Sequence, residues 1–379
     1  MKQVYFDNAA TTQLRPEVIS KITEVLENQY GNASSTHSYG RSSKSLIEQA
    51  RKTIAKELNV TASEIIYTSG GTEADNLVLQ SAVKDLDIKR IITSRIEHHA
   101  VLHTVQQLEK EYGITVHYVN VDSGGDIDYE QLELLLHSTE KTLVSLMHIN
   151  NEIGTILDVK RVAALCKANN ALFHSDMVQS FGHYKLDLQE IPLDFMAVSA
   201  HKFHGPKGVG FIFIRKNSGL KPLIIGGEQE RGIRAGTECI HNIVGMEEAM
   251  KSAYSNLEEE RAIITQIKSY FITSLKNTFK EVKFNGVSGD LEKSSYTVLN
   301  VCLPVAPDKA LVLLFQLDLK GIACSKGSAC QSGSTKNSHV LSEILLEEDL
   351  QKPSIRFSFS KYNTTKDVDY VIDVLKEFI

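Results

Sequence analysis

The sequence predicts an α/β domain built on a largely parallel sheet, followed by a smaller α+β domain. Short apolar runs alternate with helical segments through the first two thirds of the chain, and this rhythm stops near residue 240. Parallel strands are buried on both faces and therefore read as continuous apolar runs. Strands that alternate with helices are typical of β-α-β units. The chain of 379 residues is also long enough for two domains.

The predicted elements of the first domain follow in order. Pro16 opens a helical stretch at 16–31, since proline is favoured at the first position of a helix, and a second helical stretch occupies 42–58. Seven apolar runs then predict the strands of the sheet, at 65–67, 91–92, 116–121, 143–147, 171–173, 195–198 and 210–214.

The pattern changes in the last third of the chain. A long charged helix is predicted at 242–280, and after it a strand at 296–303, a helix at 308–319, a strand at 355–359 and a helix from Thr365. This mixture predicts the smaller α+β domain.

Composition and charge argue against several classes of function. The net charge of −6 does not favour nucleic acid or an anionic membrane as a partner. No stretch approaches 18 consecutive apolar residues, and the N-terminus resembles neither a signal nor a transit peptide, so we expect a cytoplasmic protein without membrane spans. The five cysteines are scattered and contain no C-x-x-C pair, which argues against a disulfide framework and a zinc site.

Ligands of open parallel sheets bind at the carboxyl ends of the strands. The first such segment here is YTSGGTEADN at 67–76. Gly70 and Gly71 allow a close backbone approach, Thr72 can cap the following helix, and the N–H groups of a helix start suit a phosphate. A plain capped turn explains the pattern equally well, and it is neither a Walker loop nor a dinucleotide fingerprint.

A second strand end carries a carboxylate. In FHSDMVQS at 173–180, Asp176 ends the strand and Gln179 follows three residues later. Asp176 is either the N-cap of a helix or a buried carboxylate that faces a cationic ring nitrogen. In the second case the cation would offset the desolvation cost of the carboxylate.

A third strand end carries a lysine. In VSAHKFHGPKG at 198–208, Lys202 follows an apolar run, and a lysine in such a place can have a lowered pKa and form a Schiff base. Lys207 is the competing candidate. Ser199 and His201 can add hydrogen-bond donors to an anion.

The fourth segment is GSACQSGS at 327–334, where Cys330 is surrounded by glycine and serine. These neighbours predict an exposed loop, and a thiol on such a loop can act as a nucleophile that moves between two positions. Most free cysteines are small buried apolar residues instead. Cys324, with apolar neighbours, fits that description.

Together these motifs resemble one family over nearly the whole chain. The resemblance is carried by YFDNAATT at 5–12, TSGGTEADN at 68–76, EHHAV at 97–101, NNEIG at 150–154, SAHK at 199–202, 226–237, GSAC at 327–330 and IRFS at 355–358. The chain resembles the cysteine desulfurases of the NifS/IscS type, which are class V aminotransferases and fold-type-I pyridoxal-phosphate enzymes. The resemblance implies a fold-type-I transferase with a large domain at 15–258, and a small domain formed by 1–14 and 259–379 that carries Cys330.

The resemblance also implies a role for each site residue. Lys202 would hold pyridoxal 5'-phosphate as a Schiff base and move the substrate Cα proton, and Cys330 would be the nucleophile. Asp176 would pair with the ring nitrogen, and His98 would stack on the ring as an acid/base group. The phosphate would be held by Gly71, Thr72, Ser199 and His201, with Thr237 from a partner subunit, the ring oxygen by Gln179, and the substrate carboxylate by Asn151 and Arg356.

The implied reaction converts L-cysteine to L-alanine and leaves a persulfide on Cys330. A homodimer is implied, with a sulfur-acceptor protein such as an iron–sulfur scaffold or a tRNA-thiolation enzyme as partner. No resident metal is implied, although Cys330 could touch a nascent iron–sulfur cluster transiently, and Cys324 could form a disulfide or a second sulfur station.

Other functions remain open from the sequence. A selenocysteine lyase uses the same residues, whereas a small-substrate aminotransferase needs no mobile thiol. A non-catalytic sulfur carrier should have lost Lys202, Asp176 or Cys330.

Overall fold

The computed structural model of the protein describes residues 2–305, 312–327 and 338–378. Its strands are β1 Val4–Tyr5, β2 Ile65–Thr68, β3 Arg90–Ser94, β4 Thr115–Val119, β5 Thr142–Ser145, β6 Leu172–Asp176, β7 Phe195–Ser199, β8 Gly210–Ile214, β9 Lys283–Phe284, β10 Val298–Cys302, β11 Ile322–Ala323 and β12 Ser354–Ser358. Its α-helices are α1 Pro16–Asn28, α2 Ser38–Glu57, α3 Gly71–Asp85, α4 His99–Tyr112, α5 Tyr129–Leu136, α6 Val159–Ala168, α7 Ile240–Ser255, α8 Leu257–Thr278, α9 Leu313–Leu319, α10 His339–Ile344, α11 Glu347–Leu350 and α12 Thr365–Leu375.

One sheet of seven strands organises the first two thirds of the chain. Its strand order is β2-β8-β7-β6-β5-β3-β4, and β8 runs antiparallel to both of its neighbours while the other pairs are parallel. The predicted mostly parallel sheet is therefore confirmed, and each of the seven predicted apolar runs contributes a strand to it.

Helices cover both faces of this sheet, which explains why its strands are apolar throughout. Successive residues of a strand point to opposite faces. Accordingly Ile65 packs into one buried cluster and Ile66 into another, and Leu143 and Val144 are divided in the same way. Helices α3 and α4 pack on one face, and α2, α6 and α7 supply the cluster on the other.

A second, smaller sheet lies in the C-terminal part, where β10 pairs antiparallel with β9 and β12. A separate buried cluster covers it and contains Val4 and Phe6 together with residues between Ile264 and Leu375. This cluster supports the predicted small domain of 1–14 and 259–379, and the boundary itself stays a prediction. None of the described helices combines the length and apolarity needed to cross a bilayer.

The predicted single helix at 242–280 is wrong, because the chain breaks between α7 and α8. The break falls at Asn256, whose side-chain amide donates a hydrogen bond of 2.8 Å to the carbonyl of Ser252. Asparagine side chains compete in this way with the regular helical hydrogen bonds. Periodicity alone did not reveal the break, because apolar residues continue at helical spacing on both sides of it.

The N-terminal segment connects the seven-stranded sheet with the three-stranded sheet. The Ala9 N–H donates to Ser358 Oγ at the end of β12 (2.8 Å), and the Thr12 N–H donates to the His201 carbonyl (2.9 Å) just after β7. The backbone between them therefore crosses the carboxyl edge of the large sheet.

Candidate active site

A cavity of about 480 Å³ lies at this edge, within the size range of small-molecule sites. The predicted site residues that line it are Gly71, Thr72, His98, Asn151, Asp176, Gln179, Ser199, His201, Lys202 and Arg356. Thr237 instead lines a smaller cavity of about 150 Å³. Cys330 lies outside the described residues.

Lys202 ends a short 3₁₀ turn, Ala200–Lys202, that directly follows β7. Its Nζ donates hydrogen bonds to the carbonyl oxygens of Ala9 (2.6 Å) and Ala10 (2.8 Å). The N-terminal segment therefore holds the amine inside the cavity. Lys207 also lines the cavity, but its side chain is exposed.

Asp176 is the last residue of β6 and is buried, with 7% of its surface exposed. Its Oδ1 accepts a hydrogen bond of 2.9 Å from the Val178 N–H, so it closes the following turn as well as facing the cavity. Burial raises the pKa of Asp176 to about 6, against the opposing effects of the Val178 N–H and the Lys202 charge. A cation bound beside it would stabilise its charged form.

The start of α3 forms another wall of the cavity. The expected cap by Thr72 is wrong, because Gly70 is the N-cap (φ 153°) and α3 begins at Gly71 without a side-chain cap. A Cβ on Gly70 would lie 3.3 Å from Ser199 Oγ, and one on Gly71 only 2.7 Å from Val178 Cγ2. The glycines thus leave the first helical N–H groups open to an anion, beside the Thr72 and Ser199 hydroxyls.

Arg356 on β12 supplies a guanidinium group to the cavity and is only 1% exposed. Its Nη2 donates to Asp7 Oδ1 (2.9 Å), and its Nη1 donates to the Asn151 carbonyl (3.0 Å). These two contacts fix the plane of the guanidinium, whose fork can bind a carboxylate through two hydrogen bonds.

His98, rather than His99, faces the cavity. It is the N-cap of α4, where its Nδ1 accepts a hydrogen bond of 3.1 Å from the Ala100 N–H. Burial, with a further effect of the Lys202 charge, lowers the pKa of His98 to about 4, so its ring is neutral. The His99 ring instead lies 4.4 Å from the His339 ring.

Three groups that bear on the chemistry of the cavity were not predicted from the sequence. Two are the carbonyls of Ala9 and Ala10, which side-chain patterns cannot reveal. The third is the carboxyl group of Asp75, which lines the cavity with only 1% of its surface exposed. The sequence does contain an indication of this group, because Asp75 is a charged residue on the apolar side of a predicted helix.

The residues present fit pyridoxal phosphate. The cavity places an amine that can form a Schiff base near a buried carboxylate suited to a cationic ring nitrogen. An uncapped helix start with neighbouring hydroxyls suits the phosphate, and a fixed guanidinium suits the carboxylate of an amino acid. The fold and this site define a fold-type-I pyridoxal-phosphate enzyme.

Comparison with known proteins narrows this class. The model of the aminotransferase class-V family matches residues 4–371. The chain is 40% identical over 380 residues to the cysteine desulfurase IscS of Dictyoglomus turgidum, covering 100% of this chain and 95% of that protein.

Two solved structures are also similar. A NifS-like protein superposes with a TM-score of 0.90 at 36% identity, covering 99% of both chains. SspA in complex with cysteine superposes with a TM-score of 0.81 at 30% identity, covering 96% of this chain and all of that one. The chain belongs to the class-V aminotransferase family, among the cysteine desulfurases of the NifS/IscS type, and is a pyridoxal-phosphate-dependent enzyme.

Lowered histidine pKa values predict that the protein loses stability in acid. Burial lowers the pKa to about 3 for His174 and to about 4 for His98, His148, His201 and His204. In the unfolded chain histidines bind protons below about pH 6.5, whereas these five stay neutral in the folded protein down to about pH 4. Their contribution to stability is therefore complete above pH 6.5 and is lost as the pH falls toward 4.

The raised pKa values of Asp176 (to about 6), Glu97 (to about 8) and Asp75 (well above its usual range) act in the opposite direction. The histidines outnumber the raised carboxyl groups, so we expect the free energy of unfolding to fall by about 2 kcal/mol or more between pH 7 and pH 5. Urea denaturation of the cofactor-free protein measures this change. An unchanged or higher free energy at pH 5 would contradict it.

Proposed function

We propose that this protein removes sulfur from L-cysteine, releases L-alanine and leaves the sulfur as a persulfide on Cys330. The proposal rests on one observation: the amine of Lys202, the carboxylate of Asp176 and the guanidinium of Arg356 line the same cavity. The similarity to an IscS cysteine desulfurase, and to a protein whose structure contains cysteine, supports this choice of substrate.

The residues around the cavity would hold the cofactor as follows. Asp176 would pair with the ring nitrogen, Gln179 would contact the ring oxygen, and His98 would stack on the ring. Gly71, Thr72, Ser199 and His201 would bind the phosphate. When bound, pyridoxal phosphate supplies an electron sink that makes the Cα proton of an attached amino acid removable.

Arg356 would bind the substrate carboxylate through its fork, assisted by Asn151. Because Asp7 and the Asn151 carbonyl already fix the guanidinium, little side-chain freedom is lost on binding. Lys202 Nζ would then take the proton from the substrate Cα. The neutral ring of His98 can transfer a proton at the substrate sulfur or Cβ.

The sulfur would pass to Cys330. Its thiolate attacks the substrate sulfur, so an S–S bond forms as the Cβ–S bond breaks, and Cβ takes up a proton as alanine forms. In the sequence Cys330 lies between Ser325 and Ser338. The backbone of Ser325 pairs with that of Arg356, and the Ser338 hydroxyl donates to Glu152, which follows Asn151 in the chain. Both serines therefore lie close to the residues proposed to bind the substrate carboxylate.

We further propose that the protein acts as a cytoplasmic homodimer with the two domains predicted above. Thr237 does not line the main cavity of its own chain, so we assign its phosphate contact to the site of a second copy. The persulfide would pass to an acceptor protein such as an iron–sulfur scaffold or a tRNA-thiolation enzyme. We assign no resident metal.

The test is an assay of the cofactor-loaded protein with L-cysteine, in parallel with L-selenocysteine and with amino-acid and keto-acid pairs. We expect alanine from cysteine, one persulfide per active site in the absence of thiol, and no amino transfer. Turnover of selenocysteine alone would indicate a lyase for that substrate. Transfer of the amino group without sulfur release would indicate an aminotransferase.

A further inference from the structure

A second buried carboxyl group lies beside Asp176. Asp75, in the second turn of α3, lines the cofactor cavity and is 1% exposed, and neither of its oxygens has a hydrogen-bond partner among the residues that the structure describes. One of its oxygens, one oxygen of Asp176 and one ring nitrogen of His98 all lie within 4.8 Å of one another. Two carboxylates this close and this buried cannot both be charged without a compensating cation.

The other side of Asp75 faces a neutral histidine. His174 Nε2 lies 3.4 Å from Asp75 Oδ1, and His174 Nδ1 lies 2.9 Å from the Ser145 hydroxyl. His174 and Ser145 are fully buried, on β6 and β5. Since His174 lies two residues before Asp176 on the same strand, both side chains point to the same face of the sheet.

The contacts of Ser145, His174 and Asp75 allow one consistent assignment of which atoms carry protons. The Ser145 hydroxyl can donate to His174 Nδ1, which places the ring proton on Nε2, the nitrogen that lies 3.4 Å from Asp75 Oδ1. The second oxygen of Asp75 can then carry a proton of its own, and an oxygen of Asp176 lies within 4.8 Å of the Asp75 carboxyl group.

We propose that Asp75 is an uncharged, protonated carboxylic acid that positions Asp176 for the ring nitrogen, with His174 and Ser145 fixing its orientation. The inference rests on the proposed function, because it deepens the role of the same cavity. Asp75 is a positioning residue that acts through Asp176. Because Asp75 is uncharged, Asp176 supplies the only negative charge of this carboxyl pair at the end of the cavity that would hold the ring nitrogen.

The surrounding charges agree with an uncharged Asp75. The titratable groups around it include Asp176, Glu97, His98 and His174, and the charge of Lys202 acts on Asp176. Burial, followed by the charges of Asp176 and Glu97, raises the pKa of Asp75 well above its usual range. Burial lowers the pKa of His174 to about 3, so this ring supplies no positive charge at neutral pH.

Two variants test the proposal. Asp75→Asn keeps the shape and a hydrogen-bond donor without a charge, whereas Asp75→Leu keeps the size and removes both polar atoms. We expect Asp75→Leu to lower kcat for alanine formation about tenfold with KM changed less than about threefold, and Asp75→Asn to restore most of that loss. The pH midpoint of the bound cofactor's visible absorption should differ by less than about 0.3 units between Asp75→Asn and wild type.

Infrared difference spectroscopy observes the proton itself. The spectrum of the cofactor-free wild type minus that of Asp75→Asn, at neutral pH, should contain a protonated-carboxyl C=O band that shifts in D₂O. This measurement uses no cysteine, so it decides the state of Asp75 even if the wild type forms no alanine and the proposed function fails. It also decides the question if Asp75→Leu does not fold.

Three results would overturn the proposal. One is the absence of the protonated-carboxyl band. Another is a shift of the absorption midpoint in Asp75→Asn by about one unit or more, which would mean that a negative charge had been removed. The third is a wild-type kcat in Asp75→Leu, which would leave Asp75 without a positioning role.

Discussion

Replacement of Lys202 by alanine is expected to lower the rate of alanine formation from L-cysteine by about 10⁴-fold or more. The variant loses the amine that would attach the cofactor and take the substrate Cα proton. The other described lysine that lines the cavity, Lys207, is exposed, whereas Lys202 is partly buried. Asp176 and Arg356 remain in place, so the cofactor should still bind without a covalent bond. Amino-acid analysis measures alanine, and the visible spectrum reports the loss of the Schiff base.

Lys207→Ala is the matched control for this variant. Lys207 lines the same cavity and follows Lys202 by five residues, but its side chain is exposed. We expect this variant to keep the Schiff-base absorption and at least about a tenth of the wild-type rate. If Lys207→Ala loses both and Lys202→Ala keeps them, the two lysines have been assigned in the wrong order.

The fold was predictable where local pattern and burial agree. The run at 143–147 is apolar throughout because β5 is covered on both faces, with Leu143 in one cluster and Val144 in the other. The position of β8 between β2 and β7, antiparallel to both, was not predictable from such runs. Strand order depends on contacts between residues far apart in the sequence, and periodicity does not record these contacts.

The site was predictable where its side chains follow strands. Asp176 ends β6 and Lys202 follows β7, and the carboxyl ends of these adjacent parallel strands meet at one edge of the sheet. The carbonyl of Ala9, a partner of the Lys202 amine, is 193 residues away in the sequence. That contact depends on the path of the N-terminal segment across the sheet edge, which no local motif specifies.

The N-cap of α3 was predicted wrongly, because the conformation of a glycine, and not a capping side chain, sets where this helix begins. Threonine just before an apolar helix is a common cap, and this favoured Thr72. The φ of 153° at Gly70 instead lets the chain turn into α3 two residues earlier. The Thr72 hydroxyl is consequently not used as a cap, which leaves it for a ligand in the cavity.

Replacement of Cys330 by alanine is expected to abolish the persulfide and to lower alanine formation about 100-fold or more, while the cofactor stays bound. Breakage of the Cβ–S bond needs a thiolate that accepts the sulfur, and the variant lacks that acceptor. Mass spectrometry of the protein after one turnover with cysteine locates the added sulfur atom. Turnover of cysteine by Cys330→Ala at the wild-type rate would show that the nucleophile is misassigned.

Cys324→Ala is the matched control, because Cys324 lies six residues earlier and packs against the core of the small domain. Burial, with the nearby charge of Asp7, raises the pKa of the Cys324 thiol above its usual range, so it is not a thiolate at neutral pH. Since the attack requires a thiolate, Cys324 cannot replace Cys330. We therefore expect Cys324→Ala to form the persulfide at close to the wild-type rate, and added sulfur on Cys324 in the wild type would contradict this division of roles.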